Sequence, residues 1–94
     1  MAEIIRNEKG FKVIKTSISE INQSVGGLGI CDKCNVSSFT GYYVAVLNYW
    51  ICEECYNEFL GRAKRYKEDT EIEQRNYDYM LNAFERSGIK VINK

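Results

Sequence analysis

Residues 31–55, CDKCNVSSFTGYYVAVLNYWICEEC, decide how this chain folds. Cys31-Asp32-Lys33-Cys34 and Cys52-Glu53-Glu54-Cys55 are two C-x2-C pairs separated by seventeen residues, a spacing that reads as a zinc site. A two-residue spacer lets the chain turn so that both sulfurs approach one ion while the following backbone amides donate to the thiolates. Two such pairs complete a tetrahedron with Zn–S distances of about 2.3 Å. Cys31, Cys34, Cys52 and Cys55 are therefore the expected ligands of one Zn2+. Four protein thiolates leave no position for a catalytic water, so the site is expected to be structural. Iron held by four cysteines would look the same in sequence; zinc is the default. Asn35, just after the first pair, suits a left-handed turn that most residues resist.

Between the pairs, Gly41 to Ile51 reads as a β-hairpin turning near Leu47-Asn48, and Cys52–Cys55 opens a helix expected to run from Glu53 to about Tyr66. In that helix Tyr56, Phe59, Leu60 and Ala63 fall at i, i+3, i+4 and i+7, and Glu53 and Glu54 sit where the helix dipole favours anions. A knuckle, a hairpin and a helix in this order resemble a treble-clef zinc finger. The spacing of seventeen is that of GATA-type fingers, and Tyr49-Trp50-Ile51-Cys52-Glu53-Glu54-Cys55-Tyr56 resembles the way their second pair leads into the helix. The resemblance covers about residues 30–66 and implies a fold and a metal. It implies no single function, because treble clefs serve DNA, RNA, protein and purely structural roles.

Outside the module, residues 3–6 and 11–16 flank Asn7-Glu8-Lys9-Gly10 and read as a hairpin, with Phe11, Val13 and Lys15 on one face and Lys12, Ile14 and Thr16 on the other. Ser17-Ile18-Ser19-Glu20 is a capping-box pattern. It should open a short helix with Ile18, Ile21 and Val25 inward, ended by Gly26-Gly27-Leu28-Gly29. Lys67-Glu68-Asp69 reads as a break. Thr70-Glu71-Ile72-Glu73 reads as a second capping box, opening a helix through about Arg86 with Ile72, Tyr77, Met80, Leu81 and Phe84 on its inner stripe. After a C-cap at Gly88, Ile89 to Ile92 should form a last strand that pairs with the N-terminal hairpin in a three-stranded sheet. The expectation is one α+β domain, residues 1–94, divided into an N-terminal hairpin and short helix (1–29), the zinc module (30–66) and a C-terminal helix and strand (67–94).

Composition narrows the function. Lys plus Arg is 13 and Asp plus Glu is 13, so no bulk positive field gathers nucleic acid. There is no His, which removes His-based acid–base and nucleophilic chemistry and every mixed Cys/His metal site. The pattern of a zinc deaminase is missing as well. No apolar run approaches the roughly 18–20 residues of a membrane span, and Met1 to Glu8 has no secretory apolar core. A cytoplasmic chain is therefore expected, with close cysteine pairs that point to metal rather than disulfides. Ile, Lys, Asn, Tyr and Phe supply 37 of 94 residues; AT-rich codons favour these residues, which suits a low-GC bacterium, phage or mobile element.

No nucleophile–base pair or open metal site stands out, so the chain is read as a binding protein and not an enzyme. Seven of its twelve aromatics lie between residues 39 and 59. Tyr42, Tyr43, Tyr49 and Trp50 are the candidate partner-binding residues, because Tyr and Trp anchor protein interfaces. The first reading is a protein-interaction adaptor or inhibitor, of the kind a phage or mobile element directs at a host protein. The alternative is a nucleic-acid accessory factor using Arg62, Lys64, Arg65 and Lys67 at the basic end of the module's helix; the balanced charge disfavours it. A lesser alternative is a thiol redox protein with a low-pKa Cys at a helix N-terminus.

Overall fold

A computed structural model describes residues 1–93. The chain forms β1 (Ala2–Ile5), β2 (Val13–Ser17), α1 (Ile18–Val25), β3 (Thr40–Val44), β4 (Tyr49–Ile51), α2 (Glu53–Arg62), α3 (Thr70–Arg86) and β5 (Val91–Asn93), with one 3-10 turn at Lys67–Asp69 leading into α3. The strands make one sheet in the order β4-β3-β2-β1-β5. Neighbours are antiparallel except β1 and β5, which run parallel because α3 carries the chain back across the sheet.

The expected three-stranded sheet is thus only part of the real one. β2 pairs with β3 through Val13↔Val44, Ile14↔Tyr43 and Lys15↔Tyr42, fusing the N-terminal hairpin with the hairpin between the cysteine pairs. The reason lies in β3. Its side chains are apolar on both faces, and a strand of that kind belongs in the interior of a sheet with both faces covered.

Each face has its own core. Ile14, Tyr43, Ala45 and Trp50 pack with Ile21 of α1 and Met80 and Phe84 of α3. On the opposite face Phe11, Val13, Val44 and Ile51 pack with Tyr56 and Phe59 of α2, and buried Cys31 belongs to this second cluster. The Phe11 and Phe59 rings meet at 4.9 Å between centroids. The sheet is therefore a middle layer, with α1 and α3 on one side and α2 on the other.

Local signals behave unevenly. The Ser17 capping box forms completely: Ser17 Oγ accepts from the Glu20 amide at 3.2 Å, and Glu20 Oε1 accepts from the Ser17 amide at 2.9 Å. Gly26 ends α1 in the left-handed region with φ 75. Ile21 is buried as expected, but Val25 is exposed. The second capping box does not form. The residue preceding α3 is Asp69, in helical geometry and without a side-chain cap, and Glu73 is buried instead of reaching back to the helix start. It faces the sheet, where its Oε2 accepts from the Lys12 amide at 3.1 Å and its Oε1 lies 3.0 Å from Arg65 Nη2. The inner stripe of α3 accordingly runs through Glu73, Met80, Ala83 and Phe84, while Ile72 is exposed.

Gly41 is the tightest point of the sheet. A Cβ there would lie 2.4 Å from Trp50 Cε2 and 2.9 Å from the Ile51 carbonyl oxygen, so neither the indole nor the backbone has room for it. Gly41→Ala is expected to cost about 1–3 kcal/mol by overpacking. For a domain of this size that corresponds to a fall in Tm of roughly 5–20 °C, read by circular dichroism. A Tm within 2 °C of the parent would show that the indole can move away.

Candidate metal centre

The four cysteines arrive from two elements. Cys31 and Cys34 come from a tight turn after a single bridge between Ile30 and Ser37. In that turn the Cys31 amide donates to the Val36 carbonyl at 2.9 Å and the Asn35 amide to the Cys31 carbonyl at 2.9 Å. Asn35 has φ 63, the left-handed geometry that its type suggested. Cys52 is the N-cap residue of α2 and Cys55 lies in its first turn. The first turn of the helix is closed by the Tyr56 amide donating to the Cys52 carbonyl at 2.9 Å. Asn48, at the end of the β3–β4 turn, also takes positive φ.

All four sulfurs lie within 4.8 Å of one another, and Cys34 Sγ is 3.8 Å from Cys52 Sγ. A cluster of this kind can hold a metal ion. The cysteines are free thiols, with Cys31 buried, Cys34 exposed and the other two intermediate. The Lys33 and Cys34 amides each donate to Cys31 Sγ at 3.4 Å, the backbone-to-sulfur pattern that a C-x2-C turn was expected to supply.

The electrostatics of the thiols favour a cation. Burial pushes the Cys31 thiol up, but the amides of Cys34, Cys52 and Lys33 outweigh it and bring the thiol down to about 6. For Cys34 the Val36 amide lowers the value, yet the net shift is upward through the Cys31 and Cys52 sulfurs and partial desolvation. Desolvation and the three neighbouring sulfurs push Cys55 strongly up. Without an ion, one thiolate suppresses ionisation of its neighbours, so they titrate as a set. A divalent cation removes that conflict, because each ligand must then lose its proton. Adding Zn2+ to the metal-free protein at pH 7.5 is therefore expected to release at least two protons, those of Cys34 and Cys55. The release can be followed with a pH indicator in weak buffer. No proton release on saturation would mean the four sulfurs do not bind as thiolates.

One residue inside the first pair has a role that its position did not signal. Asp32 ties the turn to the edge of the sheet: its amide donates to the Trp50 carbonyl at 3.0 Å, and its Oδ2 accepts from the Trp50 amide at 2.9 Å. These are the outward-facing groups of β4, so Asp32 both docks the turn and closes the exposed edge of β4 against pairing with another strand. An acid between two cysteines carries no mark of a partner eighteen residues away.

The other candidate residues are scattered. Of the four aromatics read as a partner face, Tyr43 and Trp50 are core residues, 2% and 5% exposed. Tyr43 donates to Asn48 Oδ1 at 2.6 Å. Tyr42 is half-buried and stacks on Tyr56 of α2 with centroids 4.2 Å apart. Only Tyr49 is exposed. These residues belong to two faces of the sheet, because alternation along a strand sends neighbours in opposite directions.

The basic candidates do not share a helix. α2 ends at Arg62, and Ala63 is extended, with φ -71 and ψ 142; the expected continuation to Tyr66 is absent. Arg62 makes an i,i+4 pair with Glu58 at 3.2 Å, both side chains well exposed, where such a pair contributes little. Arg65 turns inward to Glu73 and lies over the Phe11 ring at 5.9 Å. Lys64 and Lys67 are exposed on separate segments. No helix among the described residues is long and apolar enough to cross a membrane. No protein-family model matches the chain, and no curated protein or solved structure is significantly similar to it.

Proposed function

We propose that the chain is a treble-clef module holding one structural Zn2+, and that it acts by binding another protein rather than by catalysis. The convergence of four sulfurs within 4.8 Å carries the metal reading. The order of elements around it supports the finer one: a knuckle at Cys31–Cys34, the β3–β4 hairpin, and α2 opening at Cys52. Four protein ligands close the coordination sphere, so the ion holds the turn against α2 and offers no site to a substrate. Zinc suits this donor set best, since thiolates select soft or borderline ions and a tetrahedral four-sulfur site is its usual structural form.

Protein binding is supported by what the fold leaves outside. Leu28, Ile30, Val36 and Phe39 are all exposed, within twelve residues around the first cysteine pair. That concentration of apolar side chains exceeds the scattered singles of an ordinary surface. The adaptor or inhibitor role, and an origin in a phage or mobile element acting in the cytoplasm, are the biological form of this reading. The nucleic-acid alternative has lost its basic strip, because Arg65 is engaged with Glu73.

The decisive experiment has two parts. Metal content of the purified protein, by inductively coupled plasma mass spectrometry, should give about one Zn per chain, the capacity of one closed four-sulfur site. A tagged pull-down from bacterial lysate with and without nuclease should retain a discrete protein in both conditions. Retention that vanishes with nuclease would sink the protein-binding reading. Iron in place of zinc would sink the metal assignment.

A further inference from the structure

An apolar concavity open to solvent lies beside the metal centre, not in it. A cavity of about 260 Å³ opens between α1, the Gly27–Ile30 segment, β4 and α3, with Ile21, Leu28, Tyr43, Trp50, Tyr79 and Met80 in its walls. The floor is core: Ile21, Tyr43, Trp50 and Met80 are all buried. The rim is different. Leu28 is 73% exposed and Tyr79 is 62% exposed, with Val25 and Ile30 also open. A rigid floor with apolar side chains standing around its mouth fits an anchor residue carried on a larger body, because a small solute would fill the floor and leave the rim in water.

Charge narrows the guest. Among the described residues Asp32 is the one charged residue lining the cavity, and it sits between Cys31 and Cys34. On the reading above, those ligands belong to a centre of formal charge −2. Lys33 offsets only part of this, so the mouth beside the turn is negative. A guest with positive flanks is favoured over an acidic one.

We infer that this cavity is a docking site for a basic segment of a partner protein, which inserts one bulky apolar side chain between Leu28 and Tyr79. The volume agrees. An engineered cavity of about 150 Å³ holds benzene, so this one takes the side chain of a Phe or Leu and part of its backbone. The inference rests on the protein-binding reading and gives it a surface. It also explains why Tyr43 and Trp50, core residues both, still bear on recognition: they form the floor.

The chain has a single Trp, and that Trp lines the site, so its emission reports occupancy directly. The zinc-loaded full chain is titrated with acetyl-Lys-Lys-Phe-Lys-Lys-amide, with the same peptide carrying Ala for Phe, with acetyl-Glu-Glu-Phe-Glu-Glu-amide, and with benzamide. The expected result is a saturable change in Trp50 emission for the first peptide. The Ala and Glu peptides should bind at least tenfold more weakly, and raising salt should weaken the first peptide. Leu28→Ser and Tyr79→Ser remove exposed side chains and should leave Tm unchanged while weakening the first peptide at least tenfold.

Equal binding of the Phe and Ala peptides overturns the inference. So does benzamide binding as tightly as the peptide, which would make the cavity a small-molecule site. A concentration-dependent dimer in sedimentation, with the cavity blocked, would assign the face to a second copy of the chain and overturn it too. A protein captured from lysate equally by the parent and by Leu28→Ser would sink this surface while leaving the protein-binding reading standing. If nothing is captured by either, it is that reading that fails.

Discussion

Cys31→Ser is expected to lower Tm by about 15–30 °C and to abolish the response of stability to metal. A structural zinc site contributes roughly 10–16 kcal/mol of apparent binding free energy in small zinc domains. Losing one of four ligands forfeits a part of that, and about 4 kcal/mol lost is enough for the expected shift. Cys31 is the ligand whose loss should cost most. It is fully buried, it accepts the Lys33 and Cys34 amides, and it belongs to the core on the α2 face of the sheet. Cys34, exposed at the other end of the turn, should cost less beyond the metal itself. The check is thermal unfolding of parent and variant with and without a chelator. The parent should fall toward the variant when metal is stripped, and the variant should not respond.

The same pair of measurements separates structural metal from thiol redox chemistry. A redox dithiol would leave the fold of a Ser variant intact and lose only a reversible disulfide. A parent whose Tm ignored the chelator, beside a folded Cys31→Ser variant, would sink the structural-metal proposal. Unfolding should be partial in character. The core that α1 and α3 form with Ile14, Tyr43 and Trp50 contains no cysteine, so residual helix signal should outlast the loss of the α2 face.

What the sequence made readable was chiefly what is local. Ser17 and Glu20 are three residues apart and form the box that their spacing announces. Asn35 and Asn48 take left-handed geometry within turns whose positions the cysteine spacing and hairpin length set. The four-sulfur cluster was legible because two short spacers and one hairpin determine it. What was hidden depends on distant partners. The Thr70-Glu71-Ile72-Glu73 pattern satisfies the same rule as Ser17 to Glu20, yet Glu73 is drawn to the Lys12 amide, sixty-one positions away. Nothing in four residues can report that competition. The pairing of β2 with β3 is readable only by half: β3, apolar on both faces, calls for an interior place in the sheet, but nothing local names β2 as its neighbour. Aromatic clustering between residues 39 and 59 pointed to a partner face, but alternation on a strand covered at both faces sends Tyr43 and Trp50 to one core and Ile51 to the other.

Glu73 supplies the second large effect, and the partner is the better place to cut. Its side chain is 0% exposed, and Arg65, 32% exposed, is the only cation that pairs with it among the described residues. Arg65→Ala leaves a buried carboxylate with one amide donor, from Lys12. Stranding a buried charge in this way costs about 3–5 kcal/mol, a fall in Tm of roughly 12–30 °C for a domain of this size. Arg65 also lies over the Phe11 ring, so part of the loss is packing. The control is the double variant Arg65→Ala/Glu73→Leu. It removes the charge together with its partner, and replacing such a pair by an apolar residue is often neutral or stabilising. The double variant should therefore be more stable than Arg65→Ala alone by at least about 2 kcal/mol, a non-additivity expected only of groups in direct contact. If Arg65→Ala proved as stable as the parent, the carboxylate would be reaching water or another donor. The basic residues after α2 would then regain the freedom that the nucleic-acid alternative requires. If the double variant were the less stable of the two, the amide of Lys12 would be the interaction that matters, with Glu73 acting as a clamp between α3 and β2 rather than as the partner of a charge.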